Sequence, residues 1–294
     1  MNQNEWLTDR FEEQRSRLRG VAYRMLGSGQ EADDAVQEAW LRLSRADTSS
    51  VENLDGWLTT VVARVALNML RSRETRRETS LDEPGRLRAV NNDDSADPEQ
   101  QALLADSVGL ALLVILDRLS PAERLAFVLH DMFDLPFDEI APIVERTPAA
   151  TRQLASRARR RVRGATAVPD RDLARQRRVV DAYLAATRHG DFEGLVKLLD
   201  PDVELRADAQ AMPVGAPGFI RGARAVAEGA LASSARARFT QPALVDGSVG
   251  LVMAPRGHLF LVLRFTLDGD LITGIDVIAD PNRLRELDLA AVDG

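Results

Sequence analysis

The stretch Phe137-Asp138-Glu139-Ile140-Ala141-Pro142-Ile143-Val144-Glu145-Arg146-Thr147-Pro148-Ala149-Ala150-Thr151-Arg152-Gln153-Leu154-Ala155-Ser156-Arg157-Ala158-Arg159-Arg160-Arg161-Val162-Arg163 reads as two helices with almost nothing between them. Phe137 to Val144 predicts a short helix whose apolar contacts are Ile140, Ile143 and Val144. Only Glu145-Arg146 separates it from Thr147-Pro148, an N-cap and first-turn pair that opens a second helix. In that second helix Ala150, Leu154, Ala158 and Val162 recur every four residues as a buried stripe, while Gln153, Ser156, Arg157 and Arg160 project from other faces. Between Arg146 and Arg163 lie five further arginines (Arg152, Arg157, Arg159, Arg160, Arg161) with no acidic residue among them. This is helix-turn-helix spacing, in which the second helix enters the major groove and arginine or glutamine reads guanine or adenine edges. A solvated basic helix on an ordinary bundle would carry the same charge, so the pattern alone leaves both readings open.

Outward from this pair the text stays helical for a long way toward the N-terminus. Helical periodicity runs from Gln100 to Val162, and Ser120-Pro121-Ala122-Glu123 supplies a serine cap, a first-turn proline and a capping-box glutamate. From 79 to 99 the pattern lapses into acidic, proline-bearing text with Pro84, Asp93, Asp94 and Pro98, the composition of an exposed linker. Before it, Trp6 to Arg77 is helical again. Trp57, Val61, Val62 and Leu67 form an apolar stripe that reads as core.

Toward the C-terminus the text changes kind. Two helices, about Asp172 to His189 and Phe192 to Leu198, precede β-rich runs at Val203 to Leu205, Phe239 to Val245, Gly250 to Ala254, Leu259 to Leu267 and Ile272 to Ile278. Turn pairs Asp246-Gly247, Arg256-Gly257 and Asp268-Gly269 separate the later strands. The expected organisation is therefore multidomain: helical domains at 1–78 and 100–165, a linker at 79–99, and an α+β domain at 172–294.

With 294 residues and 45% hydrophobic content the chain can build several cores. It has no cysteine and three histidines, which leaves no disulfide framework and no standard zinc site, so no metal or other cofactor is expected. The polar start from Met1 to Arg10 and the absence of a long apolar run predict a cytoplasmic protein that does not meet a membrane. A formal charge of -7 argues against a protein that coats DNA without sequence preference, so cationic surface must be local.

The segment Gln30-Glu31-Ala32-Asp33-Asp34-Ala35-Val36-Gln37-Glu38-Ala39-Trp40-Leu41-Arg42-Leu43 resembles the polymerase clamp-binding helix of the extracytoplasmic-function sigma factors, with Trp40 where phenylalanine is commoner. Gly56 to Arg64, continuing through Asn68-Met69-Leu70-Arg71-Ser72-Arg73, resembles the family's -10 helix. Leu119 to Phe127 with the basic helix resembles its -35 reader. The likeness covers about residues 6 to 163 and departs from the family pattern at Val65, Asn68, Pro142 and Glu145.

It implies two all-α sigma domains, the second with a helix-turn-helix, in a factor that directs RNA polymerase core to promoter DNA. Asp33, Asp34, Gln37, Glu38 and Leu41 would bind polymerase. Arg64, Asn68, Arg71, Arg73, Arg76 and Arg77 would meet the -10 element, and Arg152, Gln153, Ser156, Arg157, Arg160 and Arg161 the -35 element. The β′ clamp and the β flap would be the polymerase contacts. In the family the loop from about Asp47 to Leu54 holds a flipped base, which fits the need to unstack a base before its pairing edge can be read.

The third domain, with Gly190-Asp191-Phe192 and Leu198-Leu199-Asp200-Pro201-Asp202-Val203, resembles the SnoaL-like branch of the nuclear-transport-factor-2 fold, an α+β cone around a pocket. Sigma factors with this extension form a subgroup in which the added domain tunes activity in place of an anti-sigma protein. A terminal "NPDKL"-like motif is matched in part by Asp280, Pro281, Asn282, Arg283 and Leu284, which implies an interdomain role beside the plainer reading of a turn into a helix over Arg283 to Leu289. Because cyclases and isomerases share the fold, an active enzyme or a small-ligand sensor fused to a DNA-binding unit is the alternative. Its candidate polar groups are Asp208, Arg221, His258, Arg264 and Asp276.

Overall fold

The computed structural model describes residues 3–45, 53–79, 109–164, 170–211, 218–255 and 258–292. The linker expected at 79–99 lies outside them except for Thr79, and so do 47–52 of the base-holding loop and the expected helical text over 100–108. By its contacts the chain divides into two units, Met1–Asp97 with Leu116–Arg159, and Pro98–Ile115 with Arg160–Gly294. This division does not follow the three-part division drawn from the sequence.

The first unit is helical. Helices α1 (Gln3–Leu26), α2 (Gly29–Leu43) and α3 (Leu54–Thr79) bury Phe11, Leu18, Met25, Leu26, Val36, Leu43, Leu58, Val62 and Leu67 against one another. Of the stripe read as core, Val61, Val62 and Leu67 are buried and Trp57 is half-buried. Helix α4 (Leu110–Asp117) contributes only its end to this unit. Helix α5 (Pro121–Phe127) starts in the expected capping box, with Ser120 and Glu123 each accepting from the other's backbone N–H, and runs into a π-helical turn at Val128–Met132.

Helices α6 (Phe137–Val144) and α7 (Pro148–Arg163) follow, with the predicted short turn between them. The buried stripe of α7 is Thr151, Leu154, Ala155 and Ala158, one residue round from the expected stripe at its start. The turn is built on Glu145, which holds φ 58 and ψ 48 and donates its N–H to the Ala141 carbonyl.

A side chain in the left-handed region costs about 1–2 kcal/mol, partly offset by the looser unfolded chain that glycine brings. Glu145→Gly is therefore expected to raise stability by about 0.5–1 kcal/mol. A higher urea midpoint with unchanged slope is the outcome; an unchanged or lower midpoint contradicts it.

The second unit is α+β. Helices α8 (Asp170–His189), α9 (Phe192–Leu198) and α10 (Ala223–Ala232) accompany strands β1 (Leu199–Ala207), β2 (Phe219–Arg221), β3 (Thr240–Val245), β4 (Ser248–Met253), β5 (Leu261–Asp268), β6 (Leu271–Ile278) and β7 (Leu289–Ala290). The strands lie in the order β2-β1-β6-β5-β4-β3-β7. Strands β3 to β6 pair antiparallel in succession, but β1 runs parallel to β6. Asp246 and Gly247 take φ 50 and 82, the paired left-handed turn expected of an Asp-Gly hairpin.

Strand β2, helix α10 and strand β7 have no counterpart in the sequence reading. The expected terminal helix is moved to Pro281–Glu286 (α11), because Asp280 caps it by accepting from the N–H groups of Asn282 and Arg283.

The sheet is covered on both faces. One core joins Val180, Tyr183, Leu195, Val226, Leu251, Phe265 and Ile275, with the Tyr183 and Phe265 rings edge to face at 5.2 Å. A second core joins Ala243, Val245, Val252, Val262 and Ile278 of the sheet with Leu284 and Leu287 around α11. Leu110, Ala111, Val114 and Ile115 of α4 belong to that same core. The Ala111 N–H donates to Gln241 Oε1 at 3.4 Å, and the Ala291 N–H to the Val162 carbonyl at 2.8 Å. Burying the three larger α4 side chains contributes about 5–8 kcal/mol as an upper bound.

Candidate polymerase and promoter interfaces

On α2 the residues Ala32, Ala35, Val36, Ala39 and Leu43 face inward, which leaves Asp33, Asp34, Gln37 and Leu41 exposed and Glu38 partly so. Two of the acids are engaged: Asp33 with Arg19 at 2.6 Å and Glu38 with Arg42 at 3.0 Å. Trp40 turns inward onto Phe11, its ring 5.0 Å away. The face therefore presents carboxylates around Leu41, which is 39% exposed and unusual for so large an apolar side chain.

On α3 the residues Arg64, Asn68 and Arg71 stand exposed at helical spacing. Arg73 does not join them. It is ion-paired with Glu31 and donates to the Leu26 carbonyl at 3.0 Å, so it braces α3 against the end of α1 and the start of α2. Arg76 and Arg77 fall within α3, but their side chains lie outside the described residues.

On α7 the residues Arg152, Gln153, Ser156, Arg157, Arg160 and Arg161 are all exposed. They are not equivalent. Arg157 donates to the buried carboxylate of Glu123 at 2.9 Å, so Glu123 both caps α5 and anchors α7. Arg159 holds Asp131 at 2.5 Å. Arg152 instead lies over the Phe137 ring, 5.3 Å from its centre.

The sequence reading missed Arg124. It is 2% exposed, with its Nε donating to the Arg24 carbonyl at 3.0 Å and Nη1 near Asp117 at 3.4 Å. Burial lowers its pKa to about 10, with Asp117 working in the opposite direction. Its role shows only in the structure: every residue from Glu123 to Phe127 is buried, and a short helix wrapped all round must satisfy any charge it carries.

Four of the five polar groups considered for chemistry in the α+β unit, Asp208, Arg221, Arg264 and Asp276, are engaged in contacts of their own. Asp208 accepts from the N–H groups of Ala279 and Asp280 at 2.8 and 2.7 Å and pins the loop before α11. Arg264 and Asp276 pair across β5 and β6 at 2.8 Å, and that contact raises the Arg264 pKa. Arg221 pairs with Asp202 at the surface. Of the terminal motif, Asp280 caps α11, Leu284 is buried in the second core, Arg283 lies 3.7 Å from Asp208, and Pro281 and Asn282 are exposed. Among the described residues no helix is long and apolar enough to cross a membrane.

Residues 11–76 match region 2 of the sigma-70 factors and residues 109–162 match region 4. The chain is 40% identical over 255 residues to the ECF RNA polymerase sigma factor SigJ of Mycobacterium tuberculosis, covering 83% of this chain and 80% of that protein. It is 34% identical over 294 residues to the probable ECF RNA polymerase sigma factor SigI of the same species, covering 98% of each. The crystal structure of M. tuberculosis SigJ aligns over 94% of this chain and 98% of that one, at 31% identity and a TM-score of 0.45. With exposed acidic and basic helix faces in the matched regions and relatives at this coverage, the chain belongs to the extracytoplasmic-function family of RNA polymerase sigma factors, which direct the polymerase to promoters for transcription initiation.

Proposed function

We propose that this sigma factor is regulated in cis, with functional segments at 1–78, 100–165 and 172–294 and the last a SnoaL-like domain that restrains the first two until polymerase engages. Asp33, Asp34, Gln37, Glu38 and Leu41 bind the β′ clamp. Arg64, Asn68, Arg71, Arg76 and Arg77 meet the -10 element, with Arg73 acting there only if it leaves Glu31. Arg152, Gln153, Ser156, Arg160 and Arg161 meet the -35 element, Arg157 remaining on Glu123, while the rest of the region 4 segment meets the β flap. The chain works in the cytoplasm and performs no covalent chemistry.

The observation that carries this reading is the dual membership of the region 4 segment. Its first helix, through Leu110, Ala111, Val114 and Ile115, completes the second core of the α+β unit, while α5 and α6 share a unit with region 2. Asp280 to Leu284 serve the restraint through the same core, to which Leu284 contributes.

The polymerase face is tested by Leu41→Asp. An exposed leucine can change without loss of core packing, so thermal stability should hold while affinity for core polymerase falls roughly tenfold, in line with loss of an apolar anchor. Fluorescence anisotropy with labelled chain measures it, and wild-type affinity would contradict the assignment. Run-off transcription with purified core polymerase over a genomic promoter library tests the whole reading, with specific products expected and none contradicting it.

A second reading is favoured by one cavity. About 570 Å³ lies between α8 and residues 109–112, lined by Arg177, Asp181, Leu184, His189 and Gln241. A small ligand there would tie the start of α4 to α8 within the second unit, and ligand-dependent protection of that unit against proteolysis is its test.

A further inference from the structure

The arginines of α7 are held in two different ways, and the difference bears on which of them can read a base. Arg157 and Arg159 are ion-paired to Glu123 and Asp131, so part of each guanidinium is already spent on a carboxylate. Arg152 rests on an uncharged ring. Its guanidinium carbon is 5.3 Å from the centre of Phe137, and among the described residues its donors have no acceptor. A cation held over an aromatic face loses freedom of movement while its N–H groups stay available.

The ring under Arg152 is itself supported. His130 lies against Phe137 with ring centres 3.9 Å apart and planes 33° from parallel. Its Nδ1 is 2.9 Å from the Leu135 carbonyl oxygen, and since a carbonyl only accepts, Nδ1 carries the proton and donates. Phe137 is the first residue of α6 and Arg152 lies in the first turn and a half of α7, the end of a recognition helix that meets base edges.

We infer that Phe137, backed by His130, is a positioning residue for promoter recognition: it presets the Arg152 guanidinium for a two-pronged contact with a guanine edge. The inference rests on the proposed assignment of Arg152 to the -35 element. The stack lowers the freedom that a long side chain must give up on binding, and it does so without competing for the donors that carry specificity. Ion pairing of the same arginine to a carboxylate would fix it as well but would spend those donors.

The test uses the full chain with core polymerase and a promoter library randomised across the upstream element. Base preference is measured for wild type and for Arg152→Ala, Phe137→Leu, Phe137→Met and Phe137→Trp, with thermal melting as the control for folding. Arg152→Ala should lose preference at one or two base positions by at least tenfold. Phe137→Leu and Phe137→Met, which keep apolar bulk without a ring, should lose roughly threefold to tenfold at the same positions, and Phe137→Trp should restore wild-type preference.

A purely structural role for Phe137 would change melting and total affinity but not preference at selected positions. Unchanged preference in both ringless variants, with Arg152→Ala still defective, overturns the positioning role and leaves the -35 assignment standing. Unchanged preference in Arg152→Ala removes both.

Discussion

Ile115→Asp is expected to unfold much of the α+β unit although the substitution lies in the segment that matches region 4. Ile115 is 2% exposed within the core formed by Val245, Val252, Val262 and Ile278. A carboxylate there has no partner and must stay desolvated or take up a proton, so the loss should be on the order of 4–5 kcal/mol. That is a large share of what holds a domain together.

Hydrogen exchange in β4 and β5 measures it, with protection falling toward that of an open chain. Trp6, Trp40 and Trp57 all lie in α1 to α3, so tryptophan fluorescence should remain near wild type and serve as an internal control. Undiminished protection in β4 would show that α4 is not part of that core. Deleting the chain from 170 onward follows the same logic: it uncovers Leu110, Val114 and Ile115, so the fragment should be less soluble, and transcription from it must be compared at matched soluble concentration.

Arg124→Ala should have the second largest effect, within the first unit. It removes a buried cation that ties α5 to the last turns of α1, and it leaves the Arg24 carbonyl and Asp117 short of a partner. Loss of one member of such a buried set costs about 3–5 kcal/mol. The expected readout is a lower urea midpoint for the first unit. Arg124→Met, which fills the space without charge, should recover part of the loss. Equal midpoints for wild type and Arg124→Ala would mean that the buried guanidinium contributes nothing to cohesion.

The helices that carry the interfaces were legible because their signals are local. The capping box at Ser120 and Glu123 and the turn pair Asp246-Gly247 read directly into structure, and so did the boundaries of α6. Glu145 was legible only as a departure from pattern, and it holds a left-handed conformation that glycine adopts without strain. What stayed hidden depends on contacts distant in sequence.

Nothing near Leu110 announces that it shares a core with Val252 and Ile278, and Arg73 resembled a free DNA contact because Glu31 is far from it in the chain. Strand β2 has three residues and β7 two, too short for alternation to register. The parallel pairing of β1 with β6 is likewise a matter of topology.

Region 2 and helices α5 to α7 as far as Arg159 share one unit of the free chain, and a compact body of roughly 140 residues has a radius of gyration of about 14 Å. The -35 and -10 elements are separated by about 25 base pairs, about 85 Å of duplex at 3.4 Å per step. On the proposed assignment of region 2 to the -10 element and of α7 to the -35 element, one closed unit cannot reach both, and the factor opens to work.

The chain has no cysteine, so Arg17→Cys on α1 and Glu139→Cys on α6, both exposed, give a clean pair of labels. Resonance energy transfer between them should be efficient in the free protein and should collapse when core polymerase and a promoter are added, as the two positions separate by tens of ångströms. Transfer that stays high in a complex shown to be transcribing would contradict the account.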